Sequence, residues 1–133
     1  MNILKSILAV FAGLVFIFIT HSGTDFILES LGIFTPPTQR FDTPWMLWTA
    51  IAYRAVFSVI GCWITAKLAP SGPMLHAMIL GGIGVLLSIA GVIVNMQLNL
   101  GANWYPIALV FISLPCAWLG GRIAKRAEVG DLR

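Results

Sequence analysis

The sequence predicts an all-α fold: a four-helix transmembrane bundle, up-down-up-down, with left-handed packing through small-residue seams. Three observations carry this. Of 133 residues, 59% are hydrophobic and 10% charged, with a mean hydropathy of +0.93; soluble domains hold about 45–50% apolar and about 25% charged residues. Turn formers divide the chain into four apolar runs, each close to the ~20 residues that one bilayer crossing needs. Within those runs glycine, alanine and serine recur at helical spacing. The balance excludes a soluble enzyme, a disordered tail and a nucleic-acid binder. The chain reads as a single membrane domain, 1–133, with spans at about 3–31, 45–69, 73–98 and 104–126.

The first run is apolar from Ile3 to Thr20, broken only by Lys5 and Ser6. Its short basic start resembles a signal peptide, but it is read as a retained span. No proline or paired glycine intervenes before Gly32, so the helix is expected to continue past Thr20. Residues 33–44 hold Pro36, Pro37 and Pro44 among turn formers and form the longest loop, placed outside. Span two starts near Trp45 and ends at Lys67. Pro70-Ser-Gly-Pro73 then allows only a tight helical hairpin. Span three runs to Leu98, and the polar stretch Asn95–Asn103 leads into span four. Pro106 sits in the first turn of span four, where its missing N–H costs nothing. Pro115 frees the Phe111 carbonyl and should bend that helix.

Orientation follows from the basic residues. With a cytoplasmic N-terminus, six lie inside (Lys5, Lys67, Arg122, Lys125, Arg126, Arg133), one outside (Arg40), and Arg54 within a span. That is a positive-inside bias with both termini cytoplasmic. Trp45, Trp48, Trp104 and Tyr105 mark the outer interface, Trp63 and Trp118 the inner one.

Lipid gives no hydrophobic drive between helices, so small residues that let backbones approach mark the interfaces. On span three Ala77, Gly81, Gly84, Ser88, Gly91 and Asn95 are spaced 4, 3, 4, 3 and 4 residues apart, the helix-packing seam. Leucine at Gly84 is expected to force this bundle apart. Shorter seams run through Arg54, Ser58, Gly61 and Thr65, and through Ser113, Ala117, Gly120 and Ala124. Trp63–Ala69 aligns with Trp118–Ala124, a pattern that either a duplicated hairpin or convergent inner helix ends would give. Cys62 and Cys116 lie in apolar runs with no CxxC and read as small core residues.

One polar cluster stands out. Charge inside a span is costly, so Arg54 is the candidate site. It lies nine residues below Trp45, about 13 Å deep. His21, Asp25 and Glu29 recur every four residues on one face of span one. Side chains tilt toward their helix N-termini, so spans running opposite ways bring the two sets together. The small residues Ser6, Ala9, Gly13 and Thr20 lie about a quarter turn from that face. Such a cluster either carries protons or an anion, or ties two helices in register. No second histidine stands near His21, so no metal site and no cofactor is expected. His76 is expected to make a helix-start or headgroup contact, and Tyr53 an interfacial or stacking one. No nucleophile–base pair, P-loop or HExxH is present, so catalysis is not expected.

Arg54, Ala66–Pro70, Pro73–Ala77, Gly81–Gly84, Trp104–Pro106 and Leu114–Gly121 resemble an uncharacterised family of short four-span bacterial integral membrane proteins. The resemblance implies four spans in an inner membrane and brings no activity. Small multidrug transporters are similar in length, but use an acidic residue in mid span one, where Ala9–Ile19 has none. The expected role is structural or accessory, through helix contacts. A small oligomeric transporter or channel using the Arg54 cluster is the alternative. The expected partners are the lipid bilayer, a second copy or a larger membrane complex, and no nucleic acid.

Overall fold

In a computed structural model of the chain, residues 3–36 and 39–131 are described, with side chains to Arg126. Thr38 of the outer loop and Arg133 of the basic count lie outside them. Four helices form among the described residues: α1 (Ile3–Ser30), α2 (Pro44–Leu68), α3 (Pro73–Leu98) and α4 (Trp104–Asp131). Each is long and apolar enough to cross a membrane, α4 over Trp104–Arg126, so the chain is a multi-pass membrane protein built as an all-α bundle. The helix α4 continues five residues past the predicted end at 126.

Local chemistry sets the ends. Gly32 (φ 75) closes α1 in a Schellman turn, with the Ile33 N–H donating to the Leu28 carbonyl (2.9 Å) and Gly32 N–H to Glu29 (3.1 Å). Proline opens α2 and α3 at the position where no N–H is needed. Gly72, left-handed at φ 58, turns the chain into Pro73.

The helices alternate in direction, so the start of α1 and the end of α4 share one end of the bundle (the termini end), and the start of α2 lies at the other (the loop end). The helix α2 touches all three others, whereas α1 and α4 do not meet among the described residues. A pseudo-twofold axis between the hairpins would make the α1–α4 and α2–α3 contacts equivalent. They are not, since α2 and α3 do touch.

Packing is tightest toward the termini end, where the core is built of Ala9, Cys62, Ala66, Ala77, Leu80, Ala117 and Ala124. A methyl at Gly120 would meet the Val59 carbonyl at 2.5 Å and the Trp63 nitrogen at 2.9 Å, so α4 lies backbone to backbone on α2. Gly81 meets the Ala117 side chain, and Gly13 meets Thr65 and the Gly61 carbonyl. Two polar side chains lock this half. The fully buried Thr65 hydroxyl donates to the Ala9 carbonyl at 2.9 Å. His76, also buried, donates from Nδ1 to the Gly72 carbonyl (2.9 Å), so its Nε2 accepts from the Ser6 hydroxyl (2.8 Å). This histidine therefore ties α3 to α1 besides closing the start of α3.

The span-three seam divides along its length. Ala77 and Gly81 are buried against α4. Gly84 has room: an added methyl would sit 3.6 Å from the Ser113 hydroxyl, an ordinary contact. Gly91 has nothing within 4 Å. Asn95 leaves the seam and donates to the Gly101 carbonyl (3.2 Å) and to Asn103 (2.7 Å) in the next connector. A methyl is thus tolerated at Gly84, and the closest approaches lie lower, at Gly81, Gly120 and Gly13.

Candidate functional site

The polar site is the upper end of one ridge. On α1 every fourth residue faces α2: Ala9 receives the Thr65 hydroxyl, Gly13 lies on Gly61, Ile17 covers Gly61, and His21 and Asp25 meet Arg54. Small residues let the helices close at the termini end, and the same row brings the charges into register at the loop end. The small face and the polar face, a quarter turn apart by helical spacing, are thus one continuous contact row.

Arg54 pairs with Asp25 through NH2, and the Tyr53 hydroxyl donates to the other oxygen of the same carboxylate. Neighbouring residues of α2 therefore grip one α1 carboxylate. His21 completes the knot from α1: its ring reaches the Arg54 carbonyl from Nε2 (3.3 Å) and Arg54 NH1 from Nδ1 (3.4 Å). The carbonyl only accepts and the guanidinium only donates, so Nε2 carries the proton and Nδ1 accepts. Arg54 and Asp25 are 22% and 28% exposed, so the pair is largely removed from its surroundings. The Arg54 Nε is buried with no hydrogen-bond partner. The Glu29 carboxylate, one turn further, forms no hydrogen bond or ion pair among the described residues.

An aromatic layer covers this knot. The turn at Gly32 sends Phe34 back under the loop, where it is 3% exposed. Its ring stacks on Tyr53 (6.3 Å, 29°) and packs on Phe41 (5.2 Å) and Trp45 (6.3 Å). Phe41 continues the layer to Tyr105 of α4 (5.8 Å). The loop is pinned across the bundle: Phe41 N–H donates to the Leu100 carbonyl (2.9 Å), and Arg40 bonds Asp42 (3.0 Å) and the Asn99 carbonyl (3.2 Å). Arg40 thus has a loop-clamping task beyond its weight in the charge count. Tyr53 carries both a ring contact and the carboxylate contact, and only the ring contact was expected from sequence. Phe34 gave no sequence signal, since a single phenylalanine in a proline-rich loop says nothing of where the loop folds.

Below the knot the helices diverge around a cavity of about 410 Å³, to which all four contribute. Arg54 and His21 line its loop end, Cys62, Leu80 and Gly81 its floor. Ser88 and Gly91, from the upper seam of α3, line its wall instead of packing on a helix. The cysteines, both buried, make no disulfide.

No protein-family model, curated protein or solved structure matches the chain.

Proposed function

We propose that this chain is an integral protein of a bacterial inner membrane with a non-catalytic, accessory role exerted through helix contacts, with both termini cytoplasmic. One observation carries the role: the Asp25 carboxylate is taken up by Arg54 and Tyr53 beneath an aromatic cover. A charge so closed serves as a tie between α1 and α2, of the kind that fixes register. The apolar outer faces, such as Ile3, Ile7, Phe11 and Phe18 on α1, suit lipid or the helices of a second copy or larger complex. Orientation rests on the six-to-one distribution of basic residues.

Topology is tested by Thr38→Cys, labelled with a membrane-impermeant maleimide. Labelling from the periplasmic face is expected, and the buried Cys62 and Cys116 should give a low background. Reaction only from the cytoplasmic face would reverse the orientation.

The cavity reaching Arg54 and His21 favours a second reading, a small oligomeric transporter or channel. Proteoliposomes under a pH gradient separate the two. The accessory role is expected to give proton flux no faster than protein-free vesicles. Faster flux that the double variant Arg54→Met with Asp25→Asn abolishes would favour transport instead.

A further inference from the structure

The exposure of the cavity lining says where it opens, and its chemistry selects what enters. Its most exposed lining residues are Phe18 and Ser22 of α1 and Leu87 and Gly91 of α3. These belong to the most loosely packed pair of touching helices, α1 and α3, which meet toward the termini end at Ser6 with His76 and at Gly13 with Leu80. A mouth there looks into hydrocarbon. Toward the loop end, the contacting rings of Phe34, Phe41, Trp45, Tyr53 and Tyr105 form the layer over the Arg54 knot. Whatever enters therefore arrives dissolved in the bilayer.

The wall is apolar except for a few hydrogen-bonding groups on three helices. The hydroxyls of Ser22 (α1), Ser58 (α2) and Ser88 (α3) line the cavity, and none has a hydrogen-bond partner among the described residues. A hydroxyl left unpaired within hydrocarbon is unfavourable, and three around one space call for an acceptor between them. The charges give no net attraction for an ion, because Arg54 is neutralised by Asp25 and His21 uses both ring nitrogens on Arg54. The volume of about 410 Å³ lies in the range of small-molecule pockets, about 300–1,000 Å³.

We propose that this cavity binds an uncharged amphiphile from the lipid phase, its carbonyl-bearing head among Ser22, Ser58 and Ser88 and its apolar chain leaving between α1 and α3. Ligand binding of this kind goes beyond an accessory role and needs no protein partner. Isoprenoid quinones and acylglycerols share the required head and chain.

The test titrates the full chain in nanodiscs with a decyl-substituted benzoquinone and, separately, with monooleoylglycerol, reading bound ligand by native mass spectrometry. One of the two is expected to saturate at one molecule per chain, and which one identifies the source. Gly91 and Gly82 both have open space for a side chain, but only Gly91 lines the cavity. Gly91→Phe should weaken binding by at least about tenfold, while Gly82→Phe should leave it within about twofold. Ser58→Ala with Ser88→Ala should weaken it about tenfold. That pair decides the matter alone should Gly91→Phe not fold. Failure of both probes to saturate would overturn the proposal. So would equal loss in Gly82→Phe and Gly91→Phe, unchanged affinity in the serine pair, or tighter binding of the oleate anion than of either neutral probe.

Discussion

Gly120→Ala is expected to destabilise the protein in detergent by about 3 kcal/mol, the upper end of what overpacking costs. The added methyl would lie 2.5 Å from the Val59 carbonyl and 2.9 Å from both the Cys62 Cβ and the Trp63 nitrogen. Two of those three atoms belong to backbone, which cannot rotate aside as a side chain end can. The helices α2 and α4 must therefore move apart, and with them the contacts that bury Cys62, Ala66, Ala117 and Ala124. Gly82→Ala supplies the contrast, because nothing lies within 4 Å of that position. There alanine only replaces glycine in a helix interior, which should stabilise by about 0.5–1 kcal/mol. Gly84→Ala, in ordinary contact with Ser113, should fall near neutral. Apparent melting temperatures of the three variants, ordered Gly82→Ala, Gly84→Ala, Gly120→Ala from highest to lowest, check the packing. Equal values would mean that α2 and α4 are not in backbone contact.

Arg54→Met is the second large effect. Methionine fills much of the space of the arginine stem but leaves the Asp25 carboxylate facing Tyr53 alone. Breaking a buried pair by removing one partner costs about 3–5 kcal/mol. With 22% and 28% of the side chains exposed, a loss of about 3 kcal/mol is expected, at the lower end. Tyr53→Phe, which removes one neutral donor to the same carboxylate, should cost about 1 kcal/mol. Urea or detergent-exchange unfolding of the two variants measures the ratio.

How far the sequence reached depends on the range of the physics involved. Span positions follow from hydropathy, and the helix start at Pro73 from backbone chemistry, both local properties, whereas Pro44, read as part of the loop, opens α2. The meeting of Arg54 with His21 and Asp25 was also legible, because helical rise and side-chain tilt fix depth without any knowledge of packing. Glu29 shares the four-residue spacing and lies one turn beyond Asp25, where its carboxylate forms no ion pair with Arg54.

The division of the α3 seam was not legible. A glycine at helical spacing suits a backbone contact and an open wall equally well, and Gly81 and Gly91 look alike until α4 is placed. The same holds for the α1 ridge. Ala9, Gly13 and Asp25 become one row only when α2 is laid along them, since a row of every fourth residue winds slowly round an isolated helix. The aromatic cover escaped for a third reason. Phe34 reaches Tyr53 because the turn at Gly32 reverses the chain, and its partners lie in the loop (Phe41) and in α2 (Trp45, Tyr53).

The tie between α1 and α2 is the centre of the structural reading, and a double-mutant cycle on Arg54→Met and Asp25→Asn tests it most directly. Each variant and the pair are unfolded under identical conditions. If the two side chains hold the helices together, Asp25→Asn should restore part of what Arg54→Met loses, with a coupling of about 2 kcal/mol. Losses that simply add, within about 0.5 kcal/mol, would show that Arg54 and Asp25 do not support each other and that the helices are held in register by something else.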